Sequence, residues 1–158
     1  MNPKIKSREE ITKIAEQLKK EGKKIVTTNG AFDLLHYGHV KLFEFAKQQG
    51  DILIVGLNSD ESIKKYKDEN RPITKQEHRA EILAALEFID YVTIFDEPEC
   101  IKFVESIKPN VHVNAATYGY DCIEKETVEK YGGKIKLFDI IKGHSTTELI
   151  RKIIETQK

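Results

Sequence analysis

Apolar residues along this chain follow two rhythms that take turns. From Ser7 to Lys20 they keep a helical spacing, with Ile11, Ile14, Ala15 and Leu18 on one face and Ser7 with Glu10 forming a capping box at the start. Ile25 to Thr28 is a short β-type run. A helix is expected from about Val40 to Gln49, burying Val40, Phe43 and Ala46, with Gly50 closing it as a C-terminal cap. Ile52-Leu53-Ile54-Val55-Gly56-Leu57 is apolar at consecutive positions, the mark of a central strand covered on both faces. Asn58-Ser59-Asp60 opens a short lysine-rich helical segment, and beyond Arg71-Pro72 a second capping box, Thr74 with Glu77, starts a helix carrying Ile82, Leu83, Leu86 and Ile89. Tyr91 to Phe95 reads as a strand, Pro98 to Ile107 as a helix and Val111 to Asn114 as a strand. A helix near Glu124 to Tyr131, a strand at Lys134 to Phe138 and a closing helix from Ser145 complete the pattern.

Strands alternating with helices predict an α/β fold: a Rossmann-like, doubly wound parallel sheet with helices on both faces, in a single domain. In open sheets of this kind ligands sit beyond the carboxyl ends of the strands, at a topological switch point. Three segments fall at that edge. They are Asn29-Gly30-Ala31-Phe32-Asp33 with the residues up to His39, then Asn58-Ser59-Asp60, then the stretch from Asn114 onward.

Composition narrows the classes. The 158 residues carry 26 Lys plus Arg against 26 Asp plus Glu, so formal net charge is zero, which argues against a nucleic-acid binder. Hydrophobic residues are 39% and charged residues 33%, as in a soluble domain with a solvated exterior. No run approaches transmembrane length and Met1-Asn2-Pro3-Lys4 lacks a signal-peptide core, so the expectation is a cytoplasmic protein without a membrane partner. Cys100 and Cys122 form no CxxC pair and read as structural thiols.

His36-Tyr37-Gly38-His39 sets two imidazoles three positions apart where a helix begins, so both can face one ligand. They suit surface or capping histidines, a metal site needing further ligands that are not near in sequence, or a polyphosphate site. Flanking Gly30 and Gly38 and the helix start favour phosphate, because glycine lets backbone approach closely and a helix N-terminus offers free N–H groups. Ser145-Thr146-Thr147-Glu148 combines a third capping box with hydroxyls at another helix start, a second place suited to phosphate.

Taken together, Gly30-x-Phe32-Asp33-x-x-His36-x-Gly38-His39 and the late Ser145-Thr146-Thr147 resemble the signatures of the cytidylyltransferase-like nucleotidyltransferases. Asn58-Ser59-Asp60, Lys64, Arg71-Pro72 and Glu77-His78-Arg79 match in order and spacing, so the likeness runs from about Lys24 to Ile154. Within the family it is closest to the adenylyltransferase domain of the bifunctional bacterial heptose-phosphate proteins, with the glycerol-3-phosphate cytidylyltransferases next. The resemblance implies attack by a substrate phosphate oxygen on the α-phosphorus of a nucleoside triphosphate, with loss of pyrophosphate. His36, His39, Lys64 and Arg79 would be the catalytic contacts. Asn29, Gly30, Ala31, Phe32, Gly38, Ser145, Thr146 and Thr147 would hold the nucleotide, with Mg2+ or another divalent cation neutralising the phosphates. Lys65 and Lys67 are assigned to a solvated face. The family also implies a homodimer.

Two departures bear on the substrates. Cytidylyltransferases usually place an arginine before the glycine of the last motif, whereas this chain has Lys142-Gly143, a point charge and not a planar fork. After the fourth strand the heptose-type enzymes usually carry a glycine–aspartate pair. Here the run is Asn114-Ala115-Ala116-Thr117-Tyr118-Gly119-Tyr120-Asp121, so Asn114, Thr117, Tyr118, Asp121, Lys142 and Asp33 are the candidate acceptor contacts. The expected reaction is AMP transfer from ATP to a sugar phosphate such as heptose 1-phosphate. CTP with glycerol 3-phosphate is the alternative, and a non-catalytic nucleotide-binding module is the rival of another class.

Overall fold

Consecutive strand side chains point to opposite faces of one sheet and build two cores, one on each face. The computed structural model describes residues 1–67 and 69–157. The strands are β1 (Ile25–Gly30), β2 (Ile52–Asn58), β3 (Tyr91–Phe95), β4 (Val111–Ala115) and β5 (Lys134–Phe138). All pair in parallel, in the order β3-β2-β1-β4-β5. The helices are α1 (Arg8–Lys20), α2 (Tyr37–Lys47), α3 (Asp60–Tyr66), α4 (Gln76–Ala84), α5 (Ile101–Ile107), α6 (Lys125–Lys130) and α7 (Thr146–Thr156).

In β2, Leu53, Val55 and Leu57 join Val26, Phe43, Leu83, Val111 and Val113 in one core, on the side of α2 and α4. Ile54 points the other way and packs with Ile11, Ile25, Phe95, Phe103 and Val128, on the side of α1, α5 and α6. The period of two explains why the run is apolar at every position. Polar residues are buried in the strands too, Thr27, Thr28 and Thr93 among them, and His112, fully buried in β4 between Val111 and Val113, hydrogen-bonds Thr27 of β1 at 2.8 Å.

Several boundaries differ from the sequence expectation. α2 begins at Tyr37, with His36 as its N-cap, because a helix can start before its apolar stripe does. Val40 is only partly buried, while Phe43 and Ala46 are buried as expected. The cap of α2 is Gln48; Gly50 instead lets Lys24 come close, since a Cβ there would lie 2.7 Å from the Lys24 carbonyl oxygen. Thr74 does not cap α4, whose N-cap is Lys75; the Thr74 amide donates to Asp33. The segment from Pro98 becomes helical only at Ile101. The boxes at Ser7 and Ser145 do cap, each accepting from the amide three residues on.

The two borders of the sheet are finished differently. At β3, Lys6 donates to the Val92 carbonyl and Val92 donates to Lys4, with Ile5 bridging Val92 in parallel. The opposite border, β5, carries Lys134 and Lys136.

Candidate active site

The chain runs from β1 outward through β2 to β3, then returns to lay β4 on the other flank of β1. The crevice between the ends of β1 and β4 is therefore the switch point, where neither following loop crosses the other. Two clefts open there. One, of about 330 Å³, is lined by Asn29, Gly30, Ala31, Phe32, His36, Gly38, His39, Lys67, His144 and Ser145-Thr146-Thr147. The other, of about 600 Å³, shares Asn29, Gly30, Ala31 and Lys67 and adds Tyr66, Asn114, Tyr118, Asp121 and Glu124.

The first cleft brings together two segments more than a hundred residues apart. Thr146 Oγ1 donates to the Leu34 carbonyl at 3.4 Å. Gly38 sits between the halves: a Cβ there would lie 3.0 Å from the His36 ring and 3.1 Å from the His144 carbonyl oxygen. Glycine is needed for contact, not for its torsion angles. Phe32 is the strained residue, with φ of 43°, a backbone state costing on the order of 1–3 kcal/mol for a bulky side chain. Its ring is 5% exposed, packs 5.0 Å from Phe43 and meets His39 edge-on at 5.2 Å. That packing holds the turn which delivers the histidines.

His36 and His39 stack with centroids 3.8 Å apart and planes 24° apart. The Nδ1 atom of each is buried and, among the described residues, has no hydrogen-bond partner. Burial, then the His36 ring and the Lys67 ammonium, push His39 down to about 3. Burial, then His144, lowers His36 as well, with Glu148 opposing. Two neutral rings tolerate this spacing where two imidazolium ions would repel. Each neutral ring still carries an N–H for an anion.

Stability inherits a pH dependence from this pair. In the unfolded chain His39 takes up a proton near pH 6.5, but in the folded protein it resists until about pH 3. Between those values the unfolded state binds more protons, so stability falls as pH falls through that window. Going from pH 7 to pH 5 should remove up to about 2 kcal/mol through this group. Thermal melts of the free protein and of His39→Asn check this: the variant should lose less on acidification, and equal losses would remove His39 as the cause.

Lys67, at the C-cap of α3, lines both clefts, and burial followed by Arg71 and Arg79 lowers its ammonium, with Asp33 opposing. Lys67 is exposed, as its solvated-face assignment expected, but it also borders both clefts, which Lys64 does not. Lys64 is exposed, pairs with Glu61 at 3.2 Å and lines neither cleft. Lys64 points to solvent from α3, whereas Lys67 at its cap reaches both clefts.

Arg79 is also corrected. It is 1% exposed and its guanidinium donates to the carbonyls of Thr74, Ala31 and Asn58 and to Asp60 Oδ1. It ties the β1 and β2 loops together and is not among the residues lining either cleft. Asp33 is likewise spent internally: it accepts from the Ile73 and Thr74 amides and pairs with Arg71 at 2.8 Å. Thr117 is turned to solvent by a single 3-10 turn, Ala116–Tyr118, and Lys142 is exposed on the turn before Gly143. Neither lines these clefts, whereas Asn114, Tyr118 and Asp121 do.

Sequence reasoning missed Tyr66, His144 and Glu124. His144 stood directly before the Ser-Thr-Thr motif, a signal that was available. Glu124 gave no cue beyond starting a helix; it is 4% exposed and accepts from Asn114 Nδ2. Among the described residues no helix is long and apolar enough to cross a membrane.

Residues 27–152 match the family model described as cytidylyltransferase-like. The chain is 48% identical over 152 residues to the bifunctional protein HldE of Geobacter metallireducens, covering 96% of this chain and 31% of that protein. It is 48% identical over 158 residues to the bifunctional protein HldE of Aliarcobacter butzleri, covering 99% and 32%. The chain thus spans about a third of the length of these curated relatives. Among solved structures, a lipopolysaccharide core biosynthesis protein from Thermoplasma volcanium superposes with a TM-score of 0.59 at 26% identity, over 77% of this chain and 98% of that one. Pantoate-beta-alanine ligase from Francisella tularensis gives 0.63 at 18% identity, over 98% and 79%, a likeness of fold.

Proposed function

The chain belongs to the cytidylyltransferase-like family of nucleotidyltransferases, and from that premise we propose that it moves AMP from ATP to a phosphorylated sugar, heptose 1-phosphate first among them. The observation that carries this reading is the meeting of the stacked histidines with the Ser145-Thr146-Thr147 helix start around one cleft, beside a larger cleft sharing its floor. The smaller cleft takes the triphosphate and the larger one the remaining substrate groups.

The acceptor phosphate oxygen attacks the α-phosphorus; the new oxygen–phosphorus bond forms as the bond to the β-phosphate oxygen breaks, and pyrophosphate leaves with that electron pair. Alignment and charge compensation do most of the work in such transfers. N–H groups of His36 and His39 stabilise the charge gathering on the α-phosphoryl oxygens. An arriving polyanion favours the protonated rings, opposing the burial that keeps them neutral. Lys67 stands over both clefts as a shared cation, and the amides at the start of α7 receive the phosphate tail.

Magnesium is part of the proposal. Among the described residues no carboxylate lines the smaller cleft, which fits a cation carried in on phosphate oxygens, the usual mode for this ion. It would neutralise the leaving pyrophosphate. ATP is favoured over CTP because Lys142 replaces the arginine of the cytidylyltransferases, and the heptose acceptor follows the relatives at 40–48% identity. A cytoplasmic setting in surface-polysaccharide precursor synthesis and a homodimer complete the reading. Exposed Ile153 and Ile154 on α7 offer apolar surface for the dimer.

The test is pyrophosphate release with each of the four nucleoside triphosphates, against a panel of sugar 1-phosphates and alcohol phosphates, in the presence of Mg2+. Release is expected with ATP and a sugar 1-phosphate. Exclusive use of CTP with glycerol 3-phosphate would replace the substrates, and tight triphosphate binding without turnover of any pair would replace the enzyme by a binding module.

A further inference from the structure

Behind the larger cleft, on the apolar face that packs against α5 and α6, three potential metal ligands share one small volume. Cys100, His112 and Glu124 are 4%, 0% and 4% exposed. One donor atom from each lies within 4.8 Å of the other two. Cys100 and Glu124 also border the larger cleft, but no step of the nucleotidyl transfer is assigned to any of the three.

His112 supplies the decisive detail. Its Nδ1 is 2.8 Å from Thr27 Oγ1, so one nitrogen is accounted for. Its Nε2 lies 3.3 Å from Glu124 Oε1, and against burial His112 helps hold that carboxyl below its ordinary range, yet among the described residues Nε2 has no partner in hydrogen-bond geometry, although the ring is wholly buried. A buried histidine–glutamate pair formed for its own sake would be expected to align that bond. An imidazole nitrogen and a carboxylate oxygen at this spacing, with the Cys100 sulfur within 4.8 Å of both, suggest a common third point. In a tetrahedral zinc site with bonds near 2.0–2.1 Å to nitrogen and oxygen, those ligands stand about 3.3–3.4 Å apart. A thiolate at about 2.3 Å completes such a set with sulfur about 3.6 Å from the other donors, within modest side-chain adjustment.

The geometry points to a zinc-binding site formed by Cys100 Sγ, His112 Nε2 and Glu124 carboxylate, its fourth position taken by water from the cleft. Thr27 would fix the ring by accepting from Nδ1–H, the outer-shell partner that zinc-bound histidines characteristically have. The donor set selects a borderline-soft ion and excludes magnesium, which avoids thiolate. Coordination displaces the thiol proton to solvent. The ion ties β4 to the approaches of α5 and α6, and through Glu124 it holds Asn114 at the wall of the larger cleft.

Cobalt(II) is the probe, because sulfur coordination gives it a charge-transfer absorption. Cys122→Ser leaves Cys100 as the one thiol of the chain, which has two cysteines. With this full-length variant, one equivalent of Co2+ should bind and produce the sulfur band, displaced by equimolar Zn2+. Adding Cys100→Ser should abolish the band. As a readout independent of that double variant's folding, equimolar Zn2+ should raise the melting temperature of Cys122→Ser, while Mg2+ at the same concentration should not, and His112→Asn should erase the rise. Absence of stoichiometric Co2+ binding, a band surviving Cys100→Ser, or an equal shift with Mg2+ would each overturn the site.

Discussion

His39→Ala should lower turnover by about 3–4 kcal/mol of transition-state stabilisation, the loss seen when one preorganised donor to a developing oxyanion is removed, while the fold persists. The ring is partly buried against Phe32 and His36, but it lies at the rim of the cleft, outside the two main cores. Steady-state kinetics with ATP and the acceptor found by the substrate panel measure it. The loss should fall on kcat, because the charge that His39 meets grows only as the α-phosphorus is attacked. A variant with near-normal kcat and an intact melting transition would strip His39 of that role.

Arg79→Ala should act in the opposite sense, on stability first. Removing this side chain deprives three carbonyls of a donor and leaves Asp60 without its partner. Breaking a buried ionic network from one side typically costs about 3–5 kcal/mol. For a chain of this length that lowers the melting temperature on the order of 10 °C. Denaturant titration beside activity assays separates the readings. Activity should recover at low temperature, where the variant is folded. A fully stable Arg79→Ala protein with no turnover would return Arg79 to the substrate and refute the bracing role.

What was legible in the sequence follows from how local each determinant is. β2 could be recognised because six consecutive apolar residues fit little besides a strand covered on both faces, and its alternating neighbours Leu53 and Ile54 indeed serve opposite cores. The histidine motif could be recognised because strand end, tight turn and helix start are contiguous, so spacing along the chain translates into position in space. Its partner motif at Ser145 was found through the family resemblance, because its capping box alone accounts for those residues equally well. The start of α2 was misjudged by three residues because its first turn, Tyr37-Gly38-His39, carries no apolar stripe.

The errors at Arg79, Asp33 and Lys64 have a different origin. Asp33 is claimed by amides forty and forty-one positions away, and Arg79 by a carbonyl forty-eight positions away. A charged residue beside a binding motif looks the same in sequence whether it faces the ligand or braces the loop. Only three-dimensional hydrogen bonding separates those roles. Lys64 and Lys67 differ by less than one helical turn, and what exchanges their roles is the end of α3 at Tyr66.

The unlike borders of the sheet bear on how the protein behaves when crowded. A bare strand edge is a template on which a second molecule can extend the sheet, and the usual remedies are to cover it or charge it. Both are in use here: Lys4 to Lys6 occupy the hydrogen-bonding positions beside β3, while Lys134 and Lys136 make β5 a poor seat for another strand. The first six residues thus act as a guard against aggregation, a duty separate from anything they do for catalysis.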